Sequence, residues 1–241
     1  MIAIIDYKAG NIASVKNALE RLGRACVVTS EPKEILSADG VIFPGQGRAG
    51  AAMSNLRKTG IDKIIPQITK PFLGICLGMQ LLGSTSAEDK TECLEIFQGV
   101  CRKFPPTLKT PHLGWNKVEL TGESSLTTGI QNGAYFYFVH SYYVDPVRSP
   151  RRKNCCAIFT RYQSELTTES CRDNDTMSLS RPKPTSNGVD VAEAQIVGKT
   201  SYGFDFPSIM QKGNFFAVQF HPEKSGEQGL RLLNNFCELC I

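Results

Sequence analysis

The chain has 241 residues, of which 41% are hydrophobic and 21% are charged, and its net charge is +4. This size and composition predict one globular domain with a sizeable core. The small positive charge gives no reason to expect a nucleic-acid partner. The first residues contain neither a run long enough to span a membrane nor the basic start of a signal peptide. We therefore expect a cytoplasmic protein without membrane association.

The nine cysteines do not predict a disulfide framework, because their number is odd, their spacing is irregular and the chain is not small. Cys237 and Cys240 have the spacing of a metal-binding pair, but no second pair or histidine stands in position to complete a zinc site. We interpret both as residues on a helix face and expect no metal.

The first third of the chain alternates short apolar runs with amphipathic segments. The apolar runs predict buried strands and the amphipathic segments predict helices. Predicted strands cover 2–5, 26–28, 40–43 and 71–75. Predicted helices cover 12–22, 51–58 and 61–68, with a short helix or turn over 34–38. This alternation indicates a parallel sheet with helices on both faces, in which ligands bind at the carboxyl ends of the strands.

The later chain adds segments of another kind. Two stretches rich in β-formers, 112–118 and 135–144, predict antiparallel strands beside the parallel sheet. A polar stretch over 163–197 is typical of a disordered surface insertion. A strand over 213–221 and a terminal helix follow. The prediction is a single α/β domain over 1–241, with a mostly parallel central sheet flanked by helices and a small added antiparallel region.

Cys76 stands where a predicted strand turns into a helix. Gly74 and Gly78 flank it at two residues on either side, as in a nucleophile elbow, where a strained turn lifts one side chain clear of the sheet. A helix start also favours a thiolate, because its free N–H groups and dipole are positive. The alternative is a buried structural cysteine, which is common for free thiols.

The glycine-rich loop 44–50 follows another strand and should lie at the same edge of the sheet as Cys76. One interpretation is a phosphate cradle, although the loop lacks the full spacing of a nucleotide-binding motif. A second is an oxyanion hole, in which a backbone N–H faces developing negative charge. A plain turn between strand and helix remains the third interpretation.

His221 and Glu223 supply the groups that a thiol nucleophile needs. His221 ends a predicted strand, and Glu223 follows it by two residues. A histidine can take the thiol proton, and a carboxylate on its far nitrogen fixes the tautomer. His112 and His140 have no such neighbour, so we interpret them as strand residues with hydrogen-bonded rings.

The residues around Cys76 and His221 carry a family resemblance. The stretches 74–80 and 219–223 resemble the paired signatures of the class I, triad-type glutamine amidotransferases, whose fold is flavodoxin-like. Three further stretches, 6–11, 111–116 and 138–143, resemble the glutaminase subunits of imidazole glycerol phosphate synthase. The similarity extends over almost the whole chain except about 149–197.

The resemblance implies hydrolysis of glutamine to glutamate and ammonia in histidine biosynthesis, with no cofactor. Cys76 would be the nucleophile, His221 the base and Glu223 the group that orients His221. The backbone N–H groups of Gln46 and Leu77 would form the oxyanion hole. The glutamine pocket would be lined by Gly45, Gly47, Gln80, Ser141 and Tyr142.

The resemblance also implies a partner, a cyclase subunit with a (β/α)8 barrel that forms a heterodimer with this chain. The cyclase would use the ammonia to make imidazole glycerol phosphate and aminoimidazole carboxamide ribotide. Residues near the interface would be Lys8, Asn11, Trp115 and Asn116. Alternatives are the glutaminase of another pathway, another kind of thiol hydrolase, and a non-catalytic partner-binding module of the same fold.

Two departures from the family pattern stand out. Gln46 occupies a position where the family usually has valine, in a loop that rearranges in relatives when the cyclase binds its ligand. We expect this residue to alter the resting activity. Two segments, 157–160 and 194–197, both match the strand expected after Tyr143. The two interpretations are that one of them is extra and that the segment between them is an artefact of gene prediction.

Overall fold

The computed structural model describes residues 1–8, 11–146 and 194–241. Most of the predicted insertion, 163–193, and the candidate strand 157–160 lie outside the described residues. The second candidate strand, 194–197, is observed, because Gln195–Ser201 forms a strand. Residues 195–197, which the prediction placed in the insertion, belong to this strand: Gln195 and Ile196 pair with Gln211 and Met210, and the Val197 carbonyl accepts from the N–H of Thr121 at 2.8 Å.

Strands and helices alternate through the first eighty residues, as predicted. Apolar side chains at helical spacing, such as Val15 and Leu19, are buried and turn the first helix toward the sheet. The helices are α1 (Ile12–Arg21), α2 (Pro32–Ser37), α3 (Ala49–Thr59), α4 (Ile61–Ile64) and α5 (Leu77–Leu81). The strands between them are β1 (Ile2–Ile5), β2 (Cys26–Thr29), β3 (Gly40–Phe43) and β4 (Phe72–Ile75).

The remaining described chain is mostly β-structure, followed by a terminal helix, α6 (Gly226–Leu239). Its strands are β5 (Thr85–Ser86), β6 (Thr91–Glu92), β7 (Gly99–Lys103), β8 (His112–Leu120), β9 (Ala134–His140), β10 (Tyr142–Pro146), β11 (Gln195–Ser201), β12 (Asp205–Lys212) and β13 (Phe215–Val218).

Within the described residues, the central sheet has nine strands in the order β2-β1-β3-β4-β13-β12-β11-β8-β9. The strands from β2 to β13 in this order pair in parallel. The pairs from β13 onward to β9 are antiparallel. The α/β fold is confirmed, and its antiparallel part is larger than the sequence indicated. Because β4 and β13 are parallel neighbours, the residues that follow them meet at one edge.

The stretch 135–144 was predicted as one run of β-formers, but it divides between two sheets. Its first part, β9, pairs with β8 at the edge of the central sheet. After Ser141 the chain enters a second, four-stranded sheet, ordered β10-β7-β5-β6. The break at Ser141 turns the backbone of 139–142 toward the end of β4 and thereby toward Cys76.

Two hydrophobic cores lie on the two faces of the central sheet. One contains buried side chains of α1 and α6, such as Leu19 and Leu232. The other contains buried side chains of α2, α3, α4 and α5, such as Leu56 and Ile61. Alternate residues of β1 point to opposite cores, since Ile4 belongs to the first and Ile5 to the second. Among the described helices, none is long and apolar enough to cross a membrane.

Candidate active site

Cys76 occupies a sharp turn between β4 and α5. Its backbone has φ 54° and ψ −107°, a conformation that a residue with a Cβ adopts only under strain. The backbone N–H of Cys76 donates to the carbonyl of Val218 at 2.7 Å, which ties the turn to β13. The predicted elbow is therefore present, and it raises the thiol above the carboxyl end of the sheet.

Close backbone packing explains why glycines surround Cys76. A Cβ on Gly78 would collide with the carbonyl oxygen of Phe43, at the end of β3. A Cβ on Gly45 would approach the Cβ of Leu77 to 2.5 Å. The glycine-rich loop after β3 therefore lies directly against the start of α5. Only glycine allows these two backbones so close together.

His221 follows β13 and lies beside the elbow. Its Nδ1 is 2.8 Å from Oε1 of Glu223, and the side chains are 1% and 0% exposed, respectively. The short 3-10 helix Pro222–Lys224 turns Glu223 back toward the ring. The Nε2 atom of His221 is buried and has no hydrogen-bond partner among the described residues. The carboxylate orients the ring, and Nε2 is left free to take a proton.

The charges around His221 favour its protonated form. Burial by itself lowers the pKa of His221, but the sulfur of Cys76 and then the carboxylate of Glu223 outweigh burial and raise the pKa to about 10. An imidazolium beside the sulfur in turn stabilises a thiolate. The arrangement thus favours transfer of the Cys76 proton to His221.

Asn11 supports Glu223. Its Nδ2 donates to Oε1 of Glu223 at 3.1 Å, and the hydroxyl of Ser14 donates to Oδ1 of Asn11 at 2.7 Å. The sequence predicted Asn11 near a partner surface, whereas its side chain here belongs to the hydrogen bonds that orient His221. This contact joins the start of α1 to the turn after β13, across more than two hundred residues, which no local pattern reveals.

Two groups contact the sulfur of Cys76 from the inner side. The thiol donates to the carbonyl of Val139 at 3.8 Å, and Nε2 of Gln219 donates to the sulfur at 3.6 Å. Gln219 is fully buried. In the sequence, Gln219 belongs to a recognised motif, but no role was predicted for it. Its position directly after β13, the parallel neighbour of β4, and two residues before His221 is the signal that could have identified it.

Gln80 was predicted to line a glutamine pocket, but its amide nitrogen is engaged within the protein. It donates to the carbonyl of Tyr142 at 2.9 Å and to Oε1 of Gln219 at 3.2 Å. Ser141 and Tyr142 are half-buried at the break between β9 and β10. Gln80 and Tyr142, two of the predicted pocket residues, are therefore in contact, and the Gln80 nitrogen links the Tyr142 backbone to Gln219.

The glycine-rich loop is held at both ends. At its start, the Tyr7 hydroxyl donates to the carbonyl of Pro44 at 2.9 Å. Burial and then the Cys76 sulfur raise the pKa of Tyr7, while the backbone N–H of Gln46 opposes the shift. The N–H of Gln46 thus lies near Tyr7, a residue that itself adjoins Cys76. The Gln46 side chain and Gly47 are exposed, and Gly47 has φ 108°.

Acidic residues that no sequence motif marked hold the far end of the loop. Glu88 accepts from the backbone N–H of Ala49 at 2.7 Å, at the start of α3. Arg48 forms an ion pair with Asp89. Burial and then the charge of Glu88 raise the pKa of Tyr142 on β10. The sequence gives no signal for these contacts, because isolated acidic residues are common on surfaces.

The comparison with protein families agrees with this geometry. The model described as glutamine amidotransferase class-I matches residues 3–179. The chain belongs to the class-I glutamine amidotransferase family. The matched range includes Cys76 and the glycine-rich loop but ends before His221 and Glu223, which full-length relatives cover.

Several curated relatives are similar to this amidotransferase over its whole length. One is "Imidazole glycerol phosphate synthase subunit HisH" of Desulfovibrio desulfuricans, 39% identical, with 100% of this chain and 95% of the relative covered. Another is subunit HisH 1 of Methanococcus maripaludis, 41% identical, with 99% and 100% covered. HisH of Methanocaldococcus jannaschii is 40% identical, also with 99% and 100% covered.

Solved structures agree in fold. A crystal structure of a glutamine amidotransferase superposes with a TM-score of 0.65, at 14% identity and with 100% of this chain and 99% of that chain covered. The structure of PurLQS from Thermotoga maritima gives a TM-score of 0.63 at 15% identity, with 98% and 97% covered. At these identities the likeness supports the fold alone.

The other predicted residues of this amidotransferase lie on β8 and on the loop after β1. Trp115 is 56% exposed, and its ring lies edge-on to Tyr137 with centroids 6.0 Å apart. Lys8 is exposed, with φ 61°. Asn116 points to the opposite face of β8, where its Nδ2 contacts Nε2 of His112 at 3.1 Å. Trp115 and Asn116 therefore do not share one surface.

His112 and His140 are hydrogen-bonded strand residues, as predicted. Their rings are buried between β8 and β9, where the two residues are register partners. Nδ1 of His112 is 3.0 Å from Nε2 of His140. Nδ1 of His140 is 2.7 Å from the carbonyl of Tyr142, the same oxygen that Gln80 contacts.

Proposed function

We propose that this protein hydrolyses the side-chain amide of glutamine, with Cys76 as nucleophile, and supplies the ammonia to a cyclase subunit in histidine biosynthesis. The observation that carries the proposal is the buried His221–Glu223 pair beside a thiol on a strained elbow. The names of the full-length relatives, all subunits of imidazole glycerol phosphate synthase, support the choice of pathway.

The reaction begins with proton transfer from the Cys76 thiol to Nε2 of His221. The sulfur then attacks the amide carbon of glutamine, and the carbonyl π-electrons move to oxygen to give a tetrahedral oxyanion. When the intermediate collapses, the C–N bond breaks, His221 gives its proton to the leaving nitrogen, and ammonia departs. A water molecule, deprotonated by His221, cleaves the resulting thioester to give glutamate and the free thiol.

Backbone N–H groups are suited to stabilise the oxyanion. The first N–H groups of α5 have no carbonyl partner within the helix, and that of Leu77 follows the nucleophile directly. We assign the second donor to Gln46, whose loop packs against Leu77 through Gly45. We assign the glutamine pocket to the residues that the family resemblance implies, namely Gly45, Gly47, Gln80, Ser141 and Tyr142.

A separate cyclase, with a (β/α)8 barrel, is the proposed partner in a heterodimer. The exposed apolar side chains on β8 and β9 support a docking face, since Leu113, Trp115 and Tyr135 are 62%, 56% and 52% exposed. Lys8 contributes a charge near the start of α1. Asn11 and Asn116 do not present their amides to the partner. Asn11 donates a hydrogen bond to Glu223, and Asn116 contacts His112. A cytoplasmic location stays a prediction from the sequence.

The test is ammonia release from glutamine, measured with and without the cyclase and its nucleotide substrate. We expect Cys76→Ala to lower the rate by at least about a thousandfold, because no other group replaces the nucleophile. Cys93→Ala removes a half-buried cysteine elsewhere and should leave the rate unchanged. Full ammonia release by Cys76→Ala would refute the proposal. Covalent labelling of Cys76 by a glutamine-like electrophile would exclude an inert scaffold.

A further inference from the structure

A continuous series of buried and half-buried hydrogen bonds leads from β8 to the sulfur of Cys76. Its first half consists of Asn116, His112 and His140 and ends on the carbonyl of Tyr142. A carbonyl only accepts, so Nδ1 of His140 carries a hydrogen. Burial lowers the pKa of His140 to about 3 and that of His112 to about 4. Both rings are therefore neutral, with one N–H each.

Because both rings are neutral, each hydrogen bond in the first half of the series has one defined donor and one defined acceptor. Nε2 of His140 has no hydrogen, so it accepts from Nδ1 of His112. Nε2 of His112 then accepts from the amide nitrogen of Asn116. The Asn116 amide is fixed in turn, because its nitrogen also donates to the carbonyl of Ser201 at 2.9 Å and its oxygen accepts from the Lys117 N–H at 2.8 Å.

The second half of the series fixes the amide of Gln219. Gln80 uses one N–H on the Tyr142 carbonyl and the other on Oε1 of Gln219. The oxygen of Gln219 is thereby occupied, and its amide nitrogen is left facing the sulfur of Cys76 at 3.6 Å. The reverse orientation would place two donors against each other and an oxygen against the sulfur. The series of hydrogen bonds therefore orients the Gln219 amide so that its N–H donates to the sulfur of Cys76.

The two contacts of the sulfur favour different protonation states. The carbonyl of Val139 accepts a hydrogen from the thiol, so it favours the neutral form. The N–H of Gln219 donates to the sulfur, and a donor favours the charged thiolate. When the proton leaves for His221, the first contact is lost and the second becomes stronger. Gln219 therefore acts on the step that creates the nucleophile.

We propose that Gln219 is a further catalytic residue, which stabilises the Cys76 thiolate through its amide N–H, and that Gln80, His140 and His112 are positioning residues that orient it. The role in turnover rests on the proposed glutaminase function. The effect on the thiolate does not, because alkylation of Cys76 is measured without substrate.

Other titratable groups also face Cys76. The charge of Cys76 acts on His221 after β13, on Tyr7 after β1 and, most weakly among the causes for that thiol, on Cys101 of β7, while Glu223 acts on His221. Burial raises the pKa of Tyr7 and of Cys101, so both are neutral near neutral pH. His221 is present in every variant described below. A change in the pH midpoint of Cys76 alkylation between variants is therefore caused by the altered hydrogen bonds.

The experiment measures the rate of Cys76 alkylation by iodoacetamide against pH, without glutamine or cyclase, with labelled Cys76 peptide quantified by mass spectrometry. Gln219→Met should raise the midpoint of this profile by about one pH unit, equivalent to about 1.4 kcal/mol of thiolate stabilisation. Gln219→Glu keeps the shape and the acceptor for Gln80 but loses the donor, so it should raise the midpoint at least as much. Gln211→Met, on β12, is the control and should leave it unchanged.

A second pair of variants tests the positioning residues. His140→Leu removes the donor that holds the Tyr142 carbonyl in place, so the contact of Gln80 with this oxygen becomes less well ordered and the midpoint should rise by less than in Gln219→Met. His140→Asn restores an N–H donor and should return the midpoint toward the wild type. Equal shifts in both His140 variants, or none in either, would overturn the positioning role.

Unchanged midpoints in both Gln219 variants would overturn the catalytic role. The alkylation profile needs no glutamine. If the midpoints shift as expected but the wild type releases no ammonia with its cyclase, the proposed function fails and the effect of Gln219 on the thiolate stands.

Discussion

His221 couples the charge state of the site to the stability of the fold. Its pKa is raised to about 10, whereas an unfolded histidine titrates near pH ~6.5. The resulting stabilisation is fully present below that lower value, where both states hold the proton. It declines as pH rises, because only the folded state then keeps the proton, and it is lost above pH 10.

Glu223→Gln tests this coupling, because glutamine still accepts the Nδ1 hydrogen but carries no charge. We expect the free energy of unfolding of the wild type to exceed that of the variant at pH ~6 by roughly 1.5–3 kcal/mol, the range for a hydrogen bond to a charged group. The difference should shrink through about pH 10 and then reverse, since a buried carboxylate beside a neutral ring is unfavourable.

Urea unfolding of both proteins across this pH range measures the difference. Glu227→Gln, an exposed residue in the first turn of α6, is the matched control and should show no such dependence. A difference between wild type and Glu223→Gln that stays constant with pH would contradict the coupling.

At the residue scale, the sequence predicted the groups whose chemistry is local. Cys76 is recognisable from flanking glycines, and His221 from a carboxylate two residues away. Gln219 and Asn11 were given no such role, because their contacts with Cys76 and Glu223 span 143 and 212 residues, respectively. Such contacts depend on which strands become neighbours, which no short pattern contains.

The element that decides the site is the strand–turn–helix around Cys76. Its conformation depends on the loop after β3 lying against the start of α5. A side chain on Gly78 would push against the Phe43 carbonyl and separate these two backbones. The same movement would carry Gln46 away from Cys76, so the proposed oxyanion donors would be lost together.

Gly78→Ala should therefore lower the free energy of unfolding by about 3 kcal/mol, the upper part of the usual range for overpacking. It should also suppress alkylation of Cys76. Gly23→Ala is the control, because Gly23 has positive φ, +67°, but has no atom near the added Cβ. The control should cost only about 1–2 kcal/mol and leave alkylation intact. Urea unfolding and mass spectrometry measure the two effects, and equal losses in both variants would contradict the argument.

At the element scale, hydrophobic periodicity predicted the strands and helices of the parallel half, because buried strands and amphipathic helices differ in period. It did not predict the division of 135–144 between two sheets. Residues with high β-propensity stand on both sides of Ser141, and the strands change partner only because β7 offers a new edge to β10. Pairing partners are a property of the assembled chain.

At the scale of the whole molecule, the catalytic groups and the proposed partner face are connected through β9. The N–H of His221 donates to the carbonyl of Tyr137 at 2.9 Å, and the Ser225 hydroxyl accepts from the Tyr137 N–H at 2.9 Å. The ring of Tyr137 lies beside Trp115 on the exposed face. The edge strand β9 therefore supports the turn that contains His221. The outer side of the same strand carries exposed aromatic residues.

Trp115→Ala tests the partner face without altering the buried site. A large exposed aromatic side chain at the centre of an interface contributes strongly when a partner buries it, so we expect the variant to bind the cyclase at least about tenfold more weakly. Alkylation of Cys76 in the isolated protein should be unchanged, because Trp115 contacts none of the catalytic side chains.

Leu36→Ala, on α2, removes an apolar side chain that is 44% exposed, and it should not affect binding. Titration calorimetry with the cyclase from the same organism measures the affinity. Equal affinities of Trp115→Ala and the wild type would exclude this face as the docking surface.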